Sequence, residues 1–179
     1  MEPTIDQVLI LMRHAARAGS QDGLSPEGHK QAEGLPKLLE LKILKHFRRP
    51  ASAFQLCSSP KLRTQQTLRF VRDSLQTPVQ VLSDLDERTG DETQSAMEKR
   101  VKFQLNKWTA DASDEEKLSP KDFSPKKLSV TLGCSHLDWL EAAGLFIDSD
   151  ELELQRAEPW APLSMKIYGF QNGIWRRFA

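Results

Sequence analysis

The chain has 179 residues, 39% apolar and 28% charged, which is the composition of an ordinary globular protein with one sizeable core. Its 25 Lys and Arg are matched by 25 Asp and Glu, so the formal charge is zero. That argues against a generally basic binder of nucleic acid or membrane surfaces, while leaving room for a local basic pocket.

The longest apolar run, Val8 to Met12, is too short to cross a bilayer, and the opening MEPTIDQ lacks the basic and apolar parts of a signal peptide. QVLILM at 7–12, ending in Arg13, reads as a buried strand. Two glycines and several polar groups follow, as in a loop. Ser25-Pro26-Glu27 then signals a helix start, with Ser25 as cap and Pro26 in the first turn. Ala32, Leu35, Leu39, Ile43 and Phe47 continue as one apolar helical face, and Pro36 is expected to kink or break it.

AFQLC at 53–57 is a second strand. Ser59-Pro60 repeats the cap-and-proline signal, with Leu68, Val71 and Leu75 on the helix behind it. Pro78 to Leu82 is a third strand, and residues 91–108 a helix with Met97, Val101, Leu105 and Trp108 on one side. Thr109 to Lys127, rich in charge and containing Pro120 and Pro125, is expected to be a surface loop. LSVTLGC at 128–134 is a strand, and Leu137 to Ala143 a short helix. Strand candidates follow at Glu151 to Gln155 and Ser164 to Phe170, then a turn at Asn172-Gly173 and a last strand from Ile174 to Phe178. Cys57 and Cys134 both fall in strand-like runs, which reads as two reduced, buried thiols and a cytoplasmic protein.

Alternating strands and helices imply an α/β class protein: a three-layer α/β/α sandwich on a mostly parallel central sheet, with antiparallel C-terminal edge strands, forming one domain over 1–179. In such a sheet, ligands sit beyond the carboxyl ends of the strands. Three predicted strands end there in Arg13-His14, in Ser58-Ser59-Pro60-Lys61-Leu62-Arg63 and in Ser135-His136. Two arginines and two histidines at one sheet edge point to phosphate, since guanidinium forks match phosphate oxygens.

MRHA at 12–15, LSPEGHKQA at 24–32, SSPKLRTQQT at 58–67, LDERTG at 85–90 and SH at 135–136 occur in an order that resembles the histidine phosphatase superfamily, in its phosphoglycerate mutase-like branch 1. The resemblance implies a phosphoglycerate mutase-like fold and a phosphatase with His14 as the nucleophile that accepts the phosphoryl group. It implies phosphate binding by Arg13, Arg63 and His136, and a catalytic acid at Glu87, with Asp84, Asp86, Asp91 and Glu92 close by. It calls for no metal and no cofactor, and the sequence has no spaced His, Cys and carboxylate cluster of the metal-binding kind.

Three departures stand out. Ala15 replaces the usual glycine, a change that some phosphatases of this kind tolerate, bacterial phosphohistidine phosphatases among them. Arg17, in RHAAR, resembles an additional phosphate-binding arginine of the acid phosphatase branch. Leu137-Asp138 follows His136 in place of the more familiar glycines or Asn-Pro, which makes Asp138 a rival acid. Among the tryptophans, Trp108, Trp139 and Trp175 read as core or edge residues, and Trp160 alone lies in a loop within reach of the site. The expected substrate is a phosphorylated small molecule or a phosphoprotein, with neither nucleic acid nor membrane as partner. A protein phosphohistidine phosphatase and a catalytically silent phosphate-binding module are the alternative functions.

Overall fold

The computed structural model describes residues 5–48, 50–118, 128–147 and 160–178. Six strands form one sheet: β1 (Gln7–Arg13), β2 (Ala53–Ser58), β3 (Val79–Val81), β4 (Ser129–Ser135), β5 (Met165–Gln171) and β6 (Ile174–Arg177). Their order is β3-β2-β4-β1-β5-β6, with β1 to β4 parallel and β5 and β6 antiparallel at one edge. The last hairpin turns through Asn172 and Gly173, both at positive φ, as a two-residue turn of this hand requires.

Successive residues of a strand face opposite sides of a sheet, and β1 shows it directly. Val8, Ile10 and Met12 pack with Leu35, Leu39 and Ile43 of α2 (Leu35–Phe47) and with Leu68 and Val71 of α3 (Leu62–Leu75). Leu9 and Leu11 pack on the other face, with Met97, Val101 and Leu105 of α4 (Gln94–Leu118) and with Trp139 and Leu140 of α5 (Leu137–Ile147). The sandwich therefore has the three layers that the alternation of elements implies. Among the described residues no helix is long and apolar enough to cross a membrane.

Several local readings change. The helical face from Ala32 to Phe47 is two helices, α1 (Pro26–Glu33) and α2, broken at Gly34, with Pro36 in the first turn of α2 where its missing N–H costs nothing. Residues 109–118 continue α4 rather than forming a loop, and the helix starts at Gln94 rather than 91. The apolar stripe runs one turn further than the prediction, to the buried Ala112, and no proline or glycine intervenes before Pro120. Residues 119–127 of that loop and the predicted strand Glu151 to Gln155 lie outside the described residues.

The motif at 24–32 has a structural explanation residue by residue. Leu24 is buried, and the Ser25 hydroxyl caps α1 by accepting from Gly28 N at 3.0 Å. Gln31 Oε1 accepts from Ala16 N, and Ala32 packs against Ala15 and Leu24 in a small core. A Cβ on Gly28 would lie 1.9 Å from the Ala16 carbonyl oxygen, a backbone atom with no room to yield. Together these contacts clamp α1 onto the loop that leaves β1, two residues beyond His14. Gly28→Ala is therefore expected to cost about 1–3 kcal/mol in urea denaturation, against about 1 kcal/mol for Ser25→Ala.

Candidate active site

Register brings the site together. Arg13 pairs with Ser135 and Ser58 with Cys134, so β1, β4 and β2 end level with one another. The next residues along each chain, His14, His136 and Ser59, emerge at one edge. A cleft of about 370 Å³ opens there, lined by Arg13, His14, Arg17, Arg63, Glu87 and His136, with Leu137, Asp138, Glu141 and Pro162 completing it. All six sequence-predicted residues meet in it. A larger cavity of about 460 Å³ between α2 and α3 is walled by Leu39, Ile43, Val71 and Leu75 and gathers no such set of groups.

The His14 ring is nearly buried, and its Nδ1 lies 2.7 Å from the Ala15 carbonyl oxygen. A carbonyl only accepts, so Nδ1 carries the proton and Nε2 keeps a lone pair. Burial lowers the His14 pKa, and the charges of Arg63, Arg13 and Arg17 lower it further against the opposing pull of the Ala15 bond. The imidazole is thereby kept neutral. Ala15, where a glycine is more familiar, is fully buried and donates its N–H to Thr67 Oγ1 at 3.0 Å, which ties the histidine turn to α3.

Arg63 is 3% exposed and lies between two carboxylates: its Nη1 donates to Asp22 at 2.5 Å and its Nη2 to Glu87 at 2.6 Å. Nη2 also lies 3.1 Å from His136 Nδ1. Because Arg63 only donates, that nitrogen accepts, and His136 Nε2 carries the proton, which it gives to Ser59 Oγ at 2.7 Å. Both ring nitrogens of His136 are thus engaged by protein groups, so direct contact with a phosphoryl oxygen requires exchanging one of those bonds. Burial and the Arg63 charge push the His136 pKa down to about 3.

Burial raises the Glu87 pKa, but the hydrogen bond and charge of Arg63 outweigh it and hold the carboxyl below its usual range. The segment that carries Glu87 is fixed from three sides. Ser135 Oγ donates to Leu85 O, Trp139 Nε1 donates to Asp84 O, and Arg100 donates to the carbonyls of Asp84 and Asp86 while paired with Glu92. Asp138, the rival acid, lies in the first turn of α5, where it accepts from the backbone N–H groups of Trp139 and Arg88. Arg17 is exposed at the rim, in a bridge with Leu24. Trp160 is buried in the core, and its backbone carbonyl accepts from Arg13 Nη1.

Sequence reading missed two residues and misassigned one. Asp22, in a loop with no legible signature, accepts from Leu62 N at 2.8 Å and so caps α3 as well as pairing with Arg63. Thr67 closes the motif at 58–67, but the sequence assigns it no role. Ser59 reads as the cap of a helix beginning near Pro60, yet α3 starts at Leu62 and the Ser59 hydroxyl bonds His136 and Thr64 instead. Cys57 and Cys134 are buried free thiols, and burial pushes the Cys57 pKa up to about 12. Among the described residues no group of three or more His, Cys, Asp or Glu is arranged to hold a metal ion.

Among the arginines that line the cleft, two buried guanidinium nitrogens, Arg13 Nε and Arg63 Nε, make no hydrogen bond. A buried charged donor left unpaired is costly, so both side chains gain by turning toward an oxyanion that enters the cleft.

The profile of the histidine phosphatase superfamily (branch 1) matches residues 9–127, about two thirds of the chain. No curated protein matches. Among solved structures, a mycobacterial hydrolase superposes with a TM-score of 0.69 at 17% identity, over 96% of each chain. A phosphoserine phosphatase variant from Entamoeba histolytica, in complex with phosphoserine, gives 0.66 at 14% identity over 97% of this chain and 95% of that one. The protein histidine phosphatase SixA, complexed with tungstate, gives 0.64 at 18% identity over 96% and 94%. At these identities the likeness is one of fold.

His136 also sets a pH dependence. Its folded pKa lies below the unfolded value of 6.5, so the folded protein binds fewer protons than the unfolded chain between pH 6.5 and about 3. The stability is full above pH 6.5 and is lost as pH falls through that window. The melting temperature is expected to drop between pH 6.5 and 5, and to drop less steeply in His136→Asn.

Proposed function

The chain belongs to the histidine phosphatase superfamily, branch 1, and we propose that it is a phosphoric monoester hydrolase working through a phosphohistidine on His14, without a metal ion. The observation that carries this reading is the pair of buried, unpartnered Nε–H donors of Arg13 and Arg63 beside a neutral histidine with a free lone pair.

In this reading Arg13 and Arg63, helped by Arg17, hold the phosphoryl oxygens where transition-state charge develops. His136 holds Arg63 in place through Nδ1. The His14 Nε2 lone pair attacks phosphorus, and the N–P bond forms as the bond to the leaving oxygen breaks. Glu87 gives that oxygen a proton. In the free protein Glu87 is ionised because Arg63 faces it. A bound dianion neutralises Arg63 and adds a negative charge nearby, and both changes raise the Glu87 pKa. Substrate binding thus loads the acid. The carboxylate left behind takes a proton from water, the hydroxide displaces phosphate from His14, and the electron pair returns to Nε2.

The second reading, a protein phosphohistidine phosphatase, draws support from the same ion pair: an imidazole leaving group needs little help from an acid, and Arg63 keeps Glu87 a poor one in the free protein. The two readings separate on Glu87→Gln. Hydrolysis of p-nitrophenyl phosphate by the wild type is expected to survive a metal chelator and to vanish in His14→Ala. Glu87→Gln is expected to lower turnover of an alkyl phosphate by about 10²–10⁴-fold, whereas an unchanged rate on phosphohistidine peptides, with no alkyl phosphate turnover in the wild type, supports the second reading. Wild-type protein inactive on all three substrates contradicts both.

A further inference from the structure

A guanidinium carries five N–H groups, and Arg63 commits three of them within the protein: one from Nη1 to Asp22, and two from Nη2 to Glu87 and His136. The two carboxylates are not equivalent. Glu87 lines the cleft, whereas Asp22 is not among the lining residues and meets the site through Arg63.

Asp22 is also firmly anchored. Its Oδ2 accepts from Leu62 N at 2.8 Å, at the first residue of α3. The loop that carries it is closed by the Arg17–Leu24 bridge and by the bond from Ala18 N to Gly23 O, and Gln66 of α3 accepts from Leu24 N. Burial raises the Asp22 pKa, but the Leu62 bond and Arg63 outweigh it and hold the carboxyl below its usual range. An anion that enters the cleft thus finds Arg63 already facing a fixed negative charge.

That charge is not needed to hold Arg63 still. The side chain is buried, and its Nη2 is bonded to Glu87 and His136 as well. What Asp22 adds is a charge that persists when Glu87 takes up a proton, and it opposes any second anion on the same guanidinium. Inorganic phosphate and the phosphoryl group of a substrate engage the same arginines, so strength spent equally on both slows release without helping the chemistry.

Resting on the phosphatase reading, we propose that Asp22 is a positioning residue that acts through Arg63: its fixed charge weakens the hold of the cleft on phosphate, so that the product leaves after hydrolysis.

The test is inhibition of p-nitrophenyl phosphate hydrolysis by inorganic phosphate, in the wild type and in Asp22→Asn. The Asn side-chain oxygen still accepts from Leu62 N, so the variant removes the charge and keeps the cap of α3. The inhibition constant of phosphate and the KM of the aryl phosphate are expected to fall together by about 3–5-fold, the size of a charge effect screened by the 46% exposure of Asp22. A residue that only held Arg63 in place would raise both constants on removal. Should Asp22→Asn not fold, Asp22→Ser, also neutral and also able to cap, makes the same comparison with the same expected direction. Constants that are unchanged or raised overturn this inference and spare the phosphatase reading, as does failure of both variants to fold. Absence of any His14-dependent hydrolysis in the wild type overturns both.

Discussion

A single short hydrogen bond, from the His14 ring to the carbonyl of the next residue, decides what the cleft can do. It places the imidazole proton on Nδ1 and so leaves Nε2 with a free lone pair. The bond depends on the conformation of the turn after β1, and that turn is over-determined. Thr67 from α3 accepts from Ala15 N, Gln31 from α1 accepts from Ala16 N, and Gly28 admits the Ala16 carbonyl into α1. Two helices, α1 and the α3 that also carries Arg63, thus fix the tautomer of His14.

The second constraint is electrostatic. Arg63 is buried, and a buried guanidinium needs charge and hydrogen bonds around it. Asp22 and Glu87 supply the charge, His136 accepts one further hydrogen bond, and Nε is left over. The carboxylates differ in what they cost the anion site: Asp22 also caps α3 and belongs to the scaffold, whereas Glu87 lines the cleft. A phosphoryl dianion that engages Arg63 therefore changes the surroundings of Glu87 more than those of any other acid in the cleft.

The sheet was legible because its signals are local. A continuous apolar run for β1, a capping serine before α1 and Asn-Gly before β6 each have one structural meaning. The end of α4 was misread because charge and proline content over 109–127 were averaged into one loop, although the apolar stripe continues to Ala112. Arg13, His14 and His136 converge because β1 and β4 end level with one another, and Arg63 follows the equally level end of β2, whereas Glu87 is brought in by the segment after β3. Asp22 was illegible for the opposite reason: it reaches Arg63 from 41 positions away through a loop whose path no periodicity encodes. Ser59 was visible but misassigned, since a serine before a proline looks like a helix cap until a histidine from another strand is placed beside it.

The most direct test of the central claim is a crystal structure with orthovanadate bound. The account predicts a trigonal-bipyramidal vanadium with His14 Nε2 as an apical ligand, equatorial oxygens bonded to the Nε–H groups of Arg13 and Arg63, and the His14 Nδ1 to Ala15 bond retained. Vanadate bound outside the cleft, or a His14 ring turned to present Nδ1, would contradict it.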